Sequence, residues 1–277
     1  MPEAHASDKI SRIKNCPNTV FKSWGIGIVS LDPKFIPRKR KIMIILLAGI
    51  VPAIYLIIKV YRMDKIEKEP LGLIVRLFIW GALTTFAAMI LEEIGMIILD
   101  CAADPTTMLY VALENFIVVG ISEEFVKRWA LKRVSWKNPA FNYHFDAVVY
   151  AVTVSLGFAA LENVLYIMDF GLSIAPVRAV TSIPLHGICG VFMGFYYGNA
   201  KAAEQSGEVS KMQGQMLRSL LVPVLIHGFY DFTATLESDM AELVWLVFII
   251  VLYIVAFRSL KKYSREDSPI GTNTWWK

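Results

Sequence analysis

Residues 145–168 read FDAVVYAVTVSLGFAALENVLYIM and are long and apolar enough to cross a lipid bilayer as one helix. A helix of about 20 apolar residues spans the hydrocarbon core of a membrane. Seven such stretches occur along the chain: Ile42–Ile58, Leu71–Leu99, Leu109–Ala130, Phe145–Met168, Pro176–Ala200, Leu217–Thr235 and Leu243–Phe257. No useful strand-like alternation accompanies them, and in lipid only helices or closed barrels satisfy the backbone. The sequence therefore predicts an all-α polytopic membrane bundle with about seven transmembrane helices.

The composition excludes a soluble cytosolic or secreted protein. Hydrophobic residues make up 56% of the chain, charged residues only 19%, and the mean hydropathy is +0.51, whereas soluble domains average about 45–50% and about 25%. The net charge of +4 comes from basic clusters between apolar blocks, a pattern typical of membrane topology and lipid head-group contact rather than nucleic-acid binding. The three cysteines form no CxxC pair, which argues against a disulfide framework or a cysteine zinc site.

Three regions are predicted: a basic, partly disordered N-terminal arm at residues 1–41, a transmembrane domain at 42–260 and a cytoplasmic polar tail at 261–277. Lysine and arginine concentrate between alternate apolar stretches, while the intervening loops contain none, so the basic segments are expected on the cytoplasmic side. Counting the membrane crossings back from these loops puts the N-terminal arm on the side opposite the cytoplasm. The arm nevertheless carries nine basic residues, which favour the cytoplasmic side. The side of the N-terminus therefore stays open.

The third apolar stretch ends in ISEEFVKR, residues 121–128. Glu123 precedes Lys127 by four residues, and Glu124 precedes Arg128 by four, so each carboxylate lies one helical turn from a cation. Two interpretations remain: an interfacial ladder of ion pairs that ends the helix, or a carboxylate that activates water while a neighbouring cation fixes its geometry.

Ionisable groups inside membrane helices are costly and hence candidates for function. The pair Glu162 and Asn163, late in the fourth stretch, is expected either to anchor the helix at the outer interface or to face the bundle interior as a metal ligand or polar wall. A second acidic pair, Glu92 and Glu93, has no cation four residues further on. We interpret that pair as an outer-interface feature.

Two histidines lie in separate apolar stretches. His186 begins a series of small residues at every fourth position, which indicates a helix face that packs closely, and His227 shares a helix face with Asp231 four residues on. Neutral imidazole suits zinc, and a carboxylate behind such a histidine commonly orients it. There is no HExxH motif of the zincin type.

With these residues located, the chain resembles the PrsW family of intramembrane metalloproteases. The matching elements, in order, are Asp64…Glu69-Pro70, Glu123-Glu124-x-x-Lys127, Phe145-Asp146-Ala147 leading to Glu162-Asn163, His186, and His227-Gly228-x-x-Asp231. A wider similarity is to CAAX-type prenyl proteases and bacteriocin-processing membrane proteases. The PrsW resemblance implies a multi-pass enzyme of the bacterial plasma membrane that cleaves a single-pass membrane substrate, an anti-sigma factor.

The expected mechanism uses Glu124, helped by Glu123, as general base on a water molecule. Zinc would be held by His186, His227 and, as third ligand, Glu162. The remaining candidates support this set: Lys127 or Arg128 holds the carboxylates, Asp231 orients His227, and Asn163 stands behind the ligands. A metal-free variant, in which the histidines stabilise the oxyanion, is the alternative. The competing classes are a transporter or proton-coupled channel and a non-catalytic membrane scaffold or immunity protein.

Overall fold

A computed structural model describes residues 38–271 of the chain. The predicted N-terminal arm lies outside the described residues except for positions 38–41, and the polar tail is described as far as residue 271. The described part of the tail packs against the bundle, because the backbone amide of Ile270 donates to the carbonyl of Asn142 at 2.7 Å.

The described residues are almost entirely helical, which confirms the predicted all-α fold. The helices are α1 Arg38–Met63, α2 Leu71–Ala102, α3 Met108–Leu113, a π-helical stretch Glu114–Ile121, α4 Ser122–Ser135, α5 His144–Phe170, a 3₁₀ turn Leu172–Ile174, α6 Ala175–Val180, α7 Ser182–Gln205, α8 Val209–Thr235 and α9 Asp239–Arg265. Over residues 38–271 the only β-type pairing is an isolated bridge between Tyr143 and Pro269.

All seven predicted apolar stretches fall in helical segments. Among the described residues, five segments are long and apolar enough to cross a membrane: Arg40–Met63, Leu71–Ala102, His144–Phe170, Leu172–Gln205 and Asp239–Arg265. The other two predicted stretches are more polar because they contain Glu123, Lys127 and His227. The least apolar helices thus contribute ionisable side chains to the interior.

Helix α5 lies at the centre of the bundle and packs against α7, α2 and α1. All of its first seventeen residues are buried, as expected for a largely apolar helix surrounded by other helices. The large apolar side chains that remain exposed concentrate on the outer helices α1, α2 and α9, where lipid would surround them.

Small residues allow these backbones to approach closely. A Cβ atom built on Gly194 of α7 would lie 2.5 Å from the Cα of Val148 on α5, and one on Gly157 of α5 would lie 2.2 Å from the carbonyl oxygen of Phe78 on α2. The predicted small-residue face that follows His186 is therefore confirmed as a helix-packing surface.

The π-helical stretch 114–121 interrupts what the sequence predicts as one continuous helix over Leu109–Ala130. Its wider turn directly precedes the two glutamates of α4. π-Helical turns are rare and occur frequently at functional sites. Periodicity does not reveal this feature, because after Glu114 and Asn115 its residues are apolar like those of an ordinary membrane helix.

We expect the substitution Gly157→Ala to destabilise the bundle by about 1–3 kcal/mol, because the added methyl group forces α2 and α5 apart. Thermal unfolding of the purified protein in detergent micelles measures this loss. The matched control is Gly214→Ala on α8, where an added Cβ has nothing within 4 Å. Equal melting temperatures for the two variants would contradict the proposed close packing.

Candidate active site

Four helices bring ionisable side chains together in the bundle interior. Helix α4 contributes two carboxylates and a lysine, α5 a carboxylate, α7 a histidine, and α8 a histidine and a carboxylate. We call Glu123, Glu124, His186 and His227 the central cluster. Each of these four residues is buried.

The ammonium group of Lys127 lies among the central cluster. Its Nζ donates to Oε2 of Glu123 at 2.8 Å and to Oε1 of Glu124 at 2.9 Å, and it lies 3.0 Å from Nδ1 of His186. The ring of Phe158 covers it at 4.0 Å. Lysine has three N–H donors, so the three polar contacts satisfy its hydrogen-bonding capacity although the side chain is fully buried.

The two imidazoles share one arrangement. Because an ammonium group only donates, Nδ1 of His186 accepts from Lys127, and the ring proton lies on Nε2, which faces Oε2 of Glu162 at 3.1 Å. In His227, Nδ1 lies 3.0 Å from Glu124 and Nε2 lies 3.1 Å from Asp231. Each ring therefore directs Nδ1 into the cluster and Nε2 towards a carboxylate behind it.

Glu162 and Asn163 are held by Arg178, an arginine that no sequence motif indicates. Arg178 donates from Nη2 to Glu162 at 2.7 Å and from Nε to Oδ1 of Asn163 at 2.8 Å. Its only signal in the sequence is an isolated arginine near the start of an apolar stretch.

Glu162 lies behind His186 rather than inside the central cluster. It contacts Nε2 of His186, the ring nitrogen that points away from the cluster. The predicted role of Glu162 as third zinc ligand requires a carboxylate inside the cluster.

Arg128 is not brought to the cluster. Its Nη1 donates to the backbone carbonyl of Met216 on α8 at 3.3 Å, and it forms no ion pair with Glu124 among the residues the structure describes. Instead of the two separate ion pairs of the ladder interpretation, one cation, Lys127, contacts both carboxylates. A single ammonium group can do so because Glu123 and Glu124 lie four and three residues before it.

Glu92 is the half-buried member of the second acidic pair. Its carboxylate on α2 interacts electrostatically with Glu123, Glu162, His227 and Lys127, while the neighbouring Glu93 is exposed. No ion pair joins Glu92 to Lys127 among the described residues, and the interpretation of the pair as an outer-interface feature stays a prediction.

The central cluster fits a metal ion by its donor chemistry. Each of its four residues offers one ligand atom, and these atoms lie within 4.8 Å of one another. Oε2 of Glu124 is buried and has no hydrogen-bond partner among the described residues. Imidazole and carboxylate are zinc ligands, and histidines that bind zinc usually carry a carboxylate on the other nitrogen, as both do here.

The fold and this site define a polytopic membrane protein with a buried cluster of carboxylates and imidazoles. The family profile described as PrsW family intramembrane metalloprotease matches residues 69–258. The chain belongs to this family. It is a multi-pass membrane protein with the activity class of a membrane peptidase.

Curated bacterial relatives support the assignment along most of the chain. Proteins named Protease PrsW are 34% identical over 218 residues in Oceanobacillus iheyensis, covering 79% of this chain and 95% of the relative, and 34% identical over 218 residues in Bacillus subtilis, covering 79% and 94%. The Clostridioides difficile protein of that name is 29% identical over 228 residues, covering 81% and 93%. No solved structure shows significant similarity to the chain.

We expect Lys127→Met to destabilise the protein by about 3–5 kcal/mol, because it leaves two buried carboxylates without their cation. Thermal unfolding in detergent micelles measures the loss. Lys132→Met on the same helix is the control, since Lys132 is exposed. A melting temperature for Lys127→Met that equals that of the control would show that the ammonium group does not balance the carboxylates.

Proposed function

We propose that this protein hydrolyses a peptide bond of a membrane-anchored protein, with Glu124 as the general base. The observation that carries the proposal is Oε2 of Glu124, a buried carboxylate oxygen without a partner among the described residues, beside two imidazoles. A general base needs an oxygen within hydrogen-bond reach of the attacking water. Oε1 is already occupied by Lys127 and His227, so Oε2 is the atom left for that water.

In this proposal Glu124 accepts a proton from water as the water oxygen bonds to the scissile carbonyl carbon. The carboxylate then returns that proton to the departing amide nitrogen, and the bond between carbon and nitrogen breaks. Lys127 holds Glu124 in place through Oε1 at 2.9 Å. Burial of the site keeps bulk water away, so a single positioned water molecule performs the attack.

We propose that His186, His227 and Glu123 hold a zinc ion, which would take the place of the Lys127 ammonium group at Nδ1 of His186 and Oε2 of Glu123. Oε2 of Glu123 lies 3.9 Å from Nδ1 of His186 and 3.7 Å from Nδ1 of His227, on the side of both rings that faces the cluster. Glu162 then takes the same place behind His186 that Asp231 takes behind His227. Three protein ligands with an open position are typical of catalytic zinc, which supplies Lewis-acid polarisation of the substrate carbonyl.

A metal-free mechanism also has a specific observation in its favour. The Lys127 ammonium group already contacts three of the four residues of the central cluster. It could supply the positive charge that the site needs, with the imidazoles donating to the oxyanion. The two mechanisms share Glu124 as base and differ in what stabilises the developing negative charge.

The substrate we propose is a single-pass membrane protein, cut at or near the membrane. Two of the helices that form the site, α5 and α7, lie in segments long and apolar enough to cross a bilayer, so a substrate segment anchored in the same membrane would reach it by lateral diffusion. The resemblance to the PrsW family names an anti-sigma factor as the particular substrate. Surrounding lipid is the second partner, and nucleic acid has no part in the proposal.

Glu124→Gln should lower the rate of cleavage of a tagged single-pass substrate by about 10²–10⁴-fold, because the amide cannot accept the proton from water. His227→Ala should lower it similarly. The measurement is the appearance of cleaved substrate with purified protein in detergent micelles. Glu93→Gln is the control, since Glu93 is an exposed acidic residue of α2. Undiminished cleavage by either test variant would remove that residue from the mechanism.

Removal of metal separates the two mechanisms. If zinc is held by the central cluster, a strong chelator abolishes cleavage, and stoichiometric Zn²⁺ restores it in the wild-type protein. Elemental analysis should then find about one zinc ion per chain, reduced at least tenfold in His227→Ala. Full activity in metal-depleted protein would instead support the mechanism that relies on Lys127.

A further inference from the structure

A second group of buried carboxylates lies at the other end of α5. Asp64 follows α1, Glu69 precedes α2, and Asp146 lies in the first turn of α5. Each offers one oxygen, and the three atoms lie within 4.8 Å of one another. Their residues are 2%, 2% and 0% exposed. We call them the acidic triad.

Several oxygens of the acidic triad have no donor. Both carboxylate oxygens of Asp64 and Oδ1 of Asp146 are buried without a hydrogen-bond partner among the described residues. The backbone amides of Ile66 and Glu67 lie close enough to the Asp64 carboxylate to lower its pKa, although by less than burial raises it. Buried, unpartnered carboxylate oxygens are strongly unfavourable unless a cation or a proton satisfies them.

The nearest basic side chain does not form an ion pair with the triad. Lys68 donates to the backbone carbonyls of Tyr61 and Asp64, and it acts on the Asp64 carboxylate only through longer-range attraction. Within residues 38–271 none of the three carboxylates forms a salt bridge with a lysine or arginine. Burial raises the pKa of both Asp64 and Glu69, which reflects the cost of charge at this place.

The contacts that do exist hold the carboxylates in position. The hydroxyl group of Tyr150 donates to Oε2 of Glu69. Oδ2 of Asp146 accepts from the backbone amides of Asn142 and Tyr143 at 3.0 and 2.7 Å. The carboxyl groups of Glu69 and Asp146 also lie within hydrogen-bonding reach of each other, so the three acidic side chains form one close group.

We propose that the acidic triad binds a hard divalent cation, Mg²⁺ or Ca²⁺. Both cations prefer carboxylate oxygens, and the triad lacks the imidazole or thiolate that would favour zinc. The site is separate from the central cluster, because Asp146 and Glu162 are 16 residues apart on α5, or about 24 Å along the helix axis. A bound cation would fasten the connection between α1 and α2 to the start of α5.

The proposed cation site assigns a role to two acidic sequence elements that take no part in the proposed catalysis. Asp64…Glu69-Pro70 and Phe145-Asp146-Ala147 are far apart in the sequence, yet the fold places their acidic residues together. The inference does not depend on the proposed peptidase mechanism. Its failure would leave Glu124 and the central cluster unaffected.

The test is thermal unfolding of the full chain in detergent micelles, first depleted of metal and then titrated with MgCl₂ or CaCl₂. At saturation we expect the melting temperature to rise by about 5 °C. Asp64→Asn should abolish the rise or weaken cation binding at least tenfold, and it is chosen because its carboxylate oxygens hold no hydrogen bond. Glu67→Gln, an exposed carboxylate in the same loop, is the matched control and should keep the rise.

The separate MgCl₂ and CaCl₂ titrations decide which cation the site prefers. An unchanged melting temperature in the wild-type protein, or an equal rise in Asp64→Asn, would overturn the proposal and indicate that shared protons neutralise the triad. If Asp64→Asn does not fold, isothermal titration calorimetry of the wild-type protein decides. One saturable site per chain for either cation supports the proposal, and the absence of saturable heat refutes it.

Discussion

Burial of the Lys127 ammonium group is the constraint on which the arrangement of this bundle depends. A charge in the interior of a membrane bundle is tolerated only with partners close by, and here they come from its own helix and from α7. His227 of α8 joins through Glu124. Helices that carry these partners must therefore meet at one depth, and the same meeting assembles the groups proposed for catalysis.

Close helix packing makes that meeting possible. Glycines on α7 and α5 let neighbouring backbones approach to distances that any added side chain would prevent, so His186 reaches Lys127 from a separate helix. The π-helical stretch before α4 is next to the same site. Rigid packing around a polar centre is a means of holding catalytic groups in position before substrate arrives.

Helix α5 connects two polar regions of different chemistry. Near its start, the acidic triad contains only oxygen ligands, whereas further along Glu162 supports an imidazole of the central cluster. Oxygen-only and mixed nitrogen–oxygen donor sets select different cations. One helix can thus serve a structural cation site and a catalytic site without competition between them.

The sequence by itself determined the all-α membrane bundle, because runs of apolar residues of membrane length allow few other structures. It also identified the candidate functional residues. Glu124, His186 and His227 are ionisable groups in apolar stretches, where burying them costs free energy, so such residues usually mark a functional site. Only the tertiary structure decided their partners: Lys127 rather than Arg128 between the carboxylates, and Arg178 behind Glu162. Spacing along one helix predicts neighbours on that helix, but contacts between helices depend on packing distance and rotation, which no local pattern encodes.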